Sequence, residues 1–361
     1  MGVLNQPIAA QVVHAAGETL QGECMKKMIA VLLAGLAFSS AAASAAPMVL
    51  TYYSDYQGNY AALTKYYSNF NAVSVDFYNI TKDGAITGNG AATPTNALSF
   101  LRDRKIAAYG CISNVDSDWS ADIAHAVSTT ALNQSVANLV KFAQANGFAG
   151  INIDFEAVAQ GDRNNFSNFI QVLGRALHAK GLKLIVSVPA FSTKDENHEA
   201  NYGYDLRALG AAADYLQIMT YDETIPTWGP GPVAGSDWME NDLDYAVSLV
   251  PASKILNGIP AYGYDWKSDN SGKQLFWSKT QALISQYGVK PRYDAGTHSV
   301  NFTYAAKDGS GMHTVWTENA RSVALKASLV NAYGLGGTSA YALGMEDAAF
   351  WAALKQGLSQ Q

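Results

Sequence analysis

The chain has 361 residues, of which 48% are hydrophobic and 15% are charged, a composition typical of a globular protein rather than a disordered or fibrous one. Its 24 Lys and Arg residues against 30 Asp and Glu residues give a net charge of -6, so we expect no nucleic-acid partner, whose phosphates need a basic surface. Two cysteines, Cys24 and Cys111, are too few for a disulfide framework or a cysteine-based zinc cluster.

The N-terminal segment 25–45 has the pattern of a secretory signal peptide. A basic start is followed by eleven apolar residues, 28–38, and by the small-residue cleavage site Ala43-Ser44-Ala45. The apolar run is shorter than the ~20 residues that span a bilayer, so we expect no membrane anchor. The sequence predicts a secreted protein, extracellular or periplasmic, cleaved near Ala45. Residues 1–24 precede this self-sufficient start and are interpreted as a mis-assigned upstream extension.

Eight short runs rich in β-branched or aromatic residues follow, and most of them start 24 to 45 residues apart. They cover residues 48–53, 72–78, 105–109, 150–156, 182–188, 215–221, 254–260 and 336–341. Helical patterns lie between several of them, for example over 133–147 and from about Asp162 to a stop at Gly181. Eight strand-helix units predict an α/β fold, the (β/α)8 TIM barrel, over residues 46–361.

The seventh and eighth predicted strands start 82 residues apart, too far for one helix and its loops. Within this gap, residues 300–304 alternate apolar and polar side chains, residues 307–311 form a glycine-rich turn, and residues 312–316 return as a second strand. This pattern predicts a hairpin. We therefore expect a small α+β insertion at about 262–318, on the rim of the barrel.

The fourth predicted strand carries polar side chains on one face. Alternation over 150–156 sends Asn152, Asp154 and Glu156 to one side and apolar side chains to the other. Barrel strands are packed on both faces, so two unpaired carboxylates there would cost several kcal/mol. Glu156 stands at the C-terminal strand end, where barrel active sites lie. The pattern indicates a catalytic site, with a buried hydrogen-bond network of no catalytic duty as the alternative.

These residues resemble the Asp-Gly-x-Asp-x-Asp-x-Glu signature of glycoside hydrolase family 18, the chitinase family. Residues 219–222, Met-Thr-Tyr-Asp, resemble the Met-x-Tyr-Asp motif of that family, and the likeness extends through 258–263 and Trp316 over nearly all of 46–361. The Asn-Ile-Asp-Phe-Glu variant and the Tyr-Asp-Glu sequence at 221–223 most resemble the spore-cortex and peptidoglycan N-acetylglucosaminidase branch. The resemblance implies a hydrolase acting on glycans that contain N-acetylglucosamine.

Asp154 and Glu156 project from the same wall, so they cannot flank a sugar as a conventional acid and nucleophile. The resemblance implies a retaining, substrate-assisted route instead, in which the 2-acetamido oxygen of the sugar attacks. Glu156 would be the general acid and later the base. Asp154 would hold the acetamido N–H and raise the pKa of Glu156, and the Tyr221 hydroxyl would orient the acetamido oxygen. The predicted substrate-binding residues are Asn152, Met219, Asp222 and Tyr341.

Three positions depart from the family pattern. Ala149 and Asn152 stand where the signature has its first two aspartates, and Tyr341 stands where the family has a tryptophan beneath the reacting sugar. Asn152 can hydrogen-bond Asp154 but cannot share a proton with it, so we expect Asp154 to titrate as a single group. The substitution Asn152→Asp is predicted to shift the pH profile.

Other features are interpreted more simply. No cofactor or metal is expected, because the histidines are scattered without the i, i+3 or i, i+4 spacing of a helical metal site. Cys111 is expected just after the third strand, as a small buried residue. Trp228, Trp238 and Trp266 are expected in loops after strands six and seven, where they could line a glycan groove.

The sequence leaves several alternatives open. It does not separate chitin from peptidoglycan as substrate, or endo from exo action. We expect an enzyme and a monomer, with a catalytically silent glycan-binding barrel as the competing interpretation.

Overall fold

The computed structural model describes residues 46–192, 198 and 201–360. The upstream extension and signal peptide assigned to residues 1–45 lie outside the described residues, and both stay predictions. None of the helices in the described residues is long and apolar enough to cross a membrane.

Two sheets contain the strands of the described chain. In chain order these are β1 (Met48–Tyr53), β2 (Ala72–Ile80), β3 (Ile86–Gly88), β4 (Ala107–Ser113), β5 (Gly150–Asp154), β6 (Lys183–Pro189), β7 (Tyr215–Met219), β8 (Ile255–Pro260), β9 (Tyr262–Lys267), β10 (Gly272–Phe276), β11 (Arg292–Tyr293), β12 (Val300–Ala305), β13 (Met312–Thr317) and β14 (Gly337–Tyr341). The first sheet closes on itself in the order β1-β2-β4-β5-β6-β7-β8-β14, with every neighbouring pair parallel. β3 is added antiparallel to the edge of β2.

Helices follow most of the barrel strands. In chain order the described helices are α1 (Asn59–Tyr66), α2 (Thr95–Asp103), α3 (Ala121–Ser128), α4 (Leu132–Asn146), α5 (Arg163–His178), α6 (Leu206–Ala212), α7 (Ser236–Leu249), α8 (Trp277–Tyr287), α9 (Ala320–Tyr333) and α10 (Ala348–Ser359). The predicted (β/α)8 TIM barrel is confirmed, because eight parallel strands close the sheet and helices connect them.

Most strands differ from the predicted ones by one or two residues at a boundary, and two of the differences bear on the site. β4 continues to Ser113, so Cys111 lies inside this strand and not after it. β5 ends at Asp154, two residues before the predicted end. Beyond it the Asn114 side chain accepts a hydrogen bond from the Glu156 amide (2.9 Å) and donates to the Glu156 carbonyl (2.6 Å). A side chain therefore satisfies the backbone groups that a longer strand would have paired.

The insertion between the seventh and eighth barrel strands is a five-stranded antiparallel sheet in the order β10-β9-β13-β12-β11. The predicted hairpin is present, with Tyr304 of β12 opposite His313 of β13. Phe302, Tyr304 and Val315 form a small apolar core of its own. Trp266, which we expected in a loop, lies in β9 and is fully buried.

A buried ion pair joins this insertion to the barrel. Lys326 of α9 donates to Glu318, which follows β13, and both side chains are almost completely buried. Ser299, just before β12, completes the group: it accepts from the Lys326 Nζ at 3.2 Å and donates to the Glu318 Oε1 at 3.1 Å. Both ends of the β12–β13 hairpin are thereby attached to one barrel helix.

We expect Lys326→Met to lower the free energy of unfolding by about 3–5 kcal/mol, because it leaves the Glu318 carboxylate buried without its counter-charge. Urea unfolding followed by circular dichroism measures this. The control is Lys82→Met, which breaks an exposed pair with Asp122 and should leave the unfolding midpoint unchanged. Equal midpoints for both variants would contradict the role given to Lys326.

Candidate active site

Packing on the outside of the barrel fixes the strand that leads to Glu156. Phe155 is fully buried, and its ring stacks on Phe166 and Phe169 of α5 with centroids 5.9 Å apart in each case. Burying a phenylalanine contributes roughly 1.5–3 kcal/mol. At the start of the strand, Gly150 approaches Lys183 so closely that a Cβ would lie 2.0 Å from the Lys183 carbonyl oxygen. The outward side chains thus anchor β5, and its inward side chains point into the barrel.

The backbone is strained directly after the first sequence motif and at the last residue of the second. Ala157, directly after Glu156, has φ = 53°, and Asp222 has φ = 62°. Non-glycine residues rarely adopt this left-handed region, which costs roughly 1–2 kcal/mol because the Cβ approaches the following carbonyl. Strain of this kind is found where the surrounding structure holds a functional side chain in a fixed position.

A cleft of ≈ 590 Å³ opens at the C-terminal ends of the barrel strands. Its volume is within the range of small-molecule and oligosaccharide-unit sites. The predicted residues that line it are Asp154, Glu156, Met219, Tyr221, Asp222 and Tyr341. The structure therefore brings six of the seven predicted site residues into one cavity.

Asn152 is the seventh, and the structure places it beneath the cleft instead of in its wall. It is fully buried, and its amide nitrogen donates to the Tyr52 hydroxyl (3.1 Å) and to Ser74 (3.0 Å). Its amide oxygen accepts from Ser187 at 3.2 Å. The hydrogen bond that Asn152 could have made to Asp154 is absent among the described residues, because these hydroxyl groups occupy both ends of the amide.

Asp154 has one carboxylate oxygen without a partner. Its Oδ2 lies 4.0 Å from the Cys111 Sγ, whereas its buried Oδ1 has no hydrogen-bond partner in the described part of the chain. Burial raises the pKa of Asp154 well above its usual range, and the charges of Glu156 and Asp76 raise it further. A buried, unpaired carboxylate oxygen is costly, so a donor that arrives in the cleft would stabilise this side chain.

The pKa of Glu156 is raised to about 7, mainly by burial, then by the charges of Asp222 and Asp76. We expected Asp154 to raise it, and the two carboxyls do repel each other, since the Glu156 charge raises the pKa of Asp154 in turn. Desolvation at the base of the cleft dominates, and the added charges come from other strands. At neutral pH a substantial fraction of Glu156 is protonated, as a general acid requires.

Tyr221 and Asp222 follow β7, two strands along the barrel from β5. Gly258 of β8 makes room for Tyr221, because a Cβ at that position would lie 2.9 Å from the tyrosine ring. The Asp222 Oδ1 accepts hydrogen bonds from the hydroxyls of Tyr262 (2.7 Å) and Tyr264 (2.6 Å) of β9. The insertion therefore contributes to the site by holding Asp222.

Tyr341 ends β14 within a group of aromatic rings. Its ring centroid lies 5.2 Å from that of Tyr52 and 5.7 Å from that of Tyr221, and its hydroxyl is 3.1 Å from the Tyr56 hydroxyl. Aromatic faces of this kind provide apolar surface against which a sugar ring can stack.

Sequence reasoning missed Asp76 of β2, which also lines the cleft. Ser74 and Asp76 alternate with apolar side chains, which is the same signal that identified β5.

Two of the tryptophans that we expected in loops lie in different surroundings. Trp238 lines the cleft but belongs to α7, and Trp228 is 71% exposed in the loop after β7. Within the described residues, no group of three or more His, Cys, Asp or Glu side chains could hold a metal ion.

Residues 45–346 match the profile of glycosyl hydrolases family 18. The uncharacterized glycosylase YvbX of Bacillus subtilis (strain 168) is 36% identical over 337 residues, which cover 91% of this chain and 96% of that protein. A chitinase of Chromobacterium violaceum has the same fold, with a TM-score of 0.86, 77% identity, and coverage of 88% of this chain and 100% of that one. A cortical fragment-lytic enzyme of Bacillus anthracis is 29% identical over 247 residues, 65% of this chain and 56% of that protein.

Proposed function

The chain belongs to glycosyl hydrolases family 18 and is a chitinase-like glycosidase, and from this premise we propose that it cleaves β-1,4-linked N-acetylglucosamine glycans by a retaining, substrate-assisted mechanism. One observation carries the proposal. Glu156, with its pKa raised to about 7, lines the cleft beside Asp154, whose Oδ1 has no partner in the described residues. The cleft thus holds a protonated acid and an acceptor for the acetamido N–H.

The carboxylates elsewhere in the cleft are poor candidates for a protein nucleophile. Asp222 accepts two tyrosine hydroxyls, the Asp76 Oδ2 accepts the Ser54 hydroxyl at 2.8 Å, and the Asp116 Oδ1 accepts from the amide and the hydroxyl of Ser117. Hydrogen bonds to a carboxylate withdraw the charge that it would use for attack. The acetamido oxygen of the substrate fills this role, with Tyr221 orienting it and Asp154 stabilising the positive charge that develops on the ring.

We propose chitin and chito-oligosaccharides as the preferred substrates. The support is the 77% identity to a chitinase across its whole length. The cortical fragment-lytic enzyme supports peptidoglycan as the second candidate, on lower identity and on 56% of its length. The family membership and the three predicted catalytic residues lining one cleft disfavour a silent glycan-binding barrel.

We also propose that the protein is secreted after cleavage near Ala45, on the strength of the signal pattern in 25–45. N-terminal sequencing of the protein exported by a bacterial host tests this. Export and a mature N-terminus at Ala46 are expected, and retention of residues 25–45 in an exported protein would contradict the cleavage.

Mass spectrometry of the products tests the substrate, and proton NMR of the freshly formed products tests the anomeric configuration that the reaction leaves. Purified protein is incubated in parallel with chito-oligosaccharides and with purified peptidoglycan. We expect faster cleavage of chito-oligosaccharides, with products that end in reducing N-acetylglucosamine and initially keep the β configuration. Cleavage of peptidoglycan alone would reverse the substrate order, and an inverted first product would exclude the proposed mechanism.

A further inference from the structure

We propose that Asp76 is a positioning residue that supplies, from β2, the acidic group with which Asp154 shares its proton. This inference rests on the substrate-assisted reaction proposed above. It assigns to β2 the second carboxyl that β5 lacks, because Asn152 occupies the position two residues before Asp154.

A hydrogen bond between the residues that precede them places Asp76 and Asp154 in the same layer of the barrel interior. Ser74 of β2 and Asn152 of β5 both point inward, since the Asn152 Nδ2 donates to the Ser74 Oγ at 3.0 Å. Asp76 and Asp154 each follow two residues later on the same face of their strands, ~6.6 Å closer to the mouth. Both line the cleft.

Only β4 separates the two strands. Its Cys111 pairs in register with Asp76 on one side and with Asn152 on the other. The buried Cys111 Sγ lies 4.0 Å from the Asp154 Oδ2. Side chains converge toward the axis of a barrel, so carboxyls two strands apart can interact across the interior.

The chemistry requires a proton acceptor near Asp154. Burial favours the protonated form of Asp154 in the free enzyme, but the carboxylate is needed once the acetamido N–H and the positive charge on the sugar appear. Asn152 cannot take the proton, because its carboxamide is not basic. In the proposed step the proton leaves the Asp154 carboxyl and binds the Asp76 carboxylate, so charge and atoms balance within the pair.

The electrostatics of the site agree with this geometry. The Asp76 charge raises the pKa of Asp154, of Glu156 and of Cys111, while burial raises the pKa of Asp76 itself. The titratable groups that face Asp76 are Asp154, Glu156, Cys111, Tyr56 and Tyr341. None of these side chains, all within the described residues, carries positive charge, so a proton shared between two of the carboxyls would relieve their repulsion.

Asp76→Asn tests the inference, with kcat, KM and pH profile measured on chito-oligosaccharides. We expect kcat to fall at least about 10-fold, with KM little changed. This loss is smaller than the ~10²-fold or more expected when the general acid itself is removed. The fall of kcat/KM on the alkaline side of the pH profile should move to lower pH, because the Asp76 charge that raises the pKa of Glu156 is gone. The control Ser54→Ala removes the hydrogen bond to Asp76 but keeps its carboxyl, and should leave kcat within about 3-fold.

The double variant Asp76→Asn/Asn152→Asp separates proton sharing from a structural role. We expect it to recover at least about 5-fold in kcat over Asp76→Asn, because a carboxyl is returned to the network from β5. Thermal unfolding of each variant checks the fold, and if the double variant does not fold, the pH profile of Asp76→Asn decides. A folded Asp76→Asn variant with the kcat and pH profile of the parent overturns the inference. A fall in kcat without a shifted pH profile and without recovery in the double variant overturns it as well. Activity retained by Glu156→Gln would instead refute the proposed reaction.

Discussion

Glu156→Gln is expected to lower kcat on chito-oligosaccharides by about 10²- to 10⁴-fold, the contribution of a well-placed general acid. Glutamine has nearly the same shape but no proton to give to the leaving oxygen. The bonds that hold this loop, between Asn114 and the backbone of residue 156, do not involve the substituted side chain. The loss should therefore appear in kcat, measured by initial rates, with substrate binding largely kept.

Glu223→Gln is the matched control. The pKa of Glu223 is also raised to about 7 by burial, but its Oε2 accepts from the Gly235 amide at 2.6 Å and it does not line the cleft. Glutamine can accept the same bond, so activity should stay within about 3-fold of the parent. Comparable losses in both variants would show that neutralising any buried glutamate damages the protein, and would remove the assignment of Glu156.

The pH profile follows from the same group. Because the active form of Glu156 is protonated and its pKa is about 7, kcat/KM should fall as the pH rises through about 7. The Glu223→Gln variant should keep this limb although it lacks the second glutamate with a similar pKa. If the fall in kcat/KM disappears in Glu223→Gln, the titration belongs to Glu223 and not to Glu156.

The barrel strands could be predicted because their signal is local. At the end of β5, alternation alone placed Asp154 on the inner face and Phe155, the next residue, on the outer, and the structure shows both. The end of this strand could not be predicted, because Asn114, from the loop after β4, pairs with the backbone of Glu156. That contact joins residues 42 apart in sequence, so no local pattern reports it.

The electrostatics of the site were harder to predict for the same reason. The sequence suggested that Asp154, the nearest acid along the chain, would raise the pKa of Glu156. The two carboxyls do repel each other, but burial is the largest cause, and Asp222 and Asp76, which closure of the barrel brings near, add their charges. Trp266 shows the same limit, since it is buried in β9, which pairs with β10 on one side and with β13 on the other.

Fully deacetylated chito-oligosaccharides, which differ from the substrate only in lacking the acetyl groups, are expected to react at least about 10³-fold more slowly. An intramolecular nucleophile of good geometry has an effective molarity of 10⁵ M or more, and the enzyme would lose this advantage with the acetamido oxygen. The unpaired Oδ1 of Asp154 would lose its acetamido N–H partner as well. Rates on the acetylated and deacetylated forms of one oligosaccharide, measured by mass spectrometry, give the ratio.

The same material, chemically re-acetylated, is the control, and it should regain the original rate. Cleavage of the deacetylated form at a similar rate would mean that a protein carboxylate attacks. Asp222 would then be the candidate, and Asp222→Asn would have to abolish that cleavage. We expect no such takeover, because the hydroxyls of Tyr262 and Tyr264 occupy the Asp222 Oδ1, so Asp222 would have to break two hydrogen bonds before that oxygen could attack.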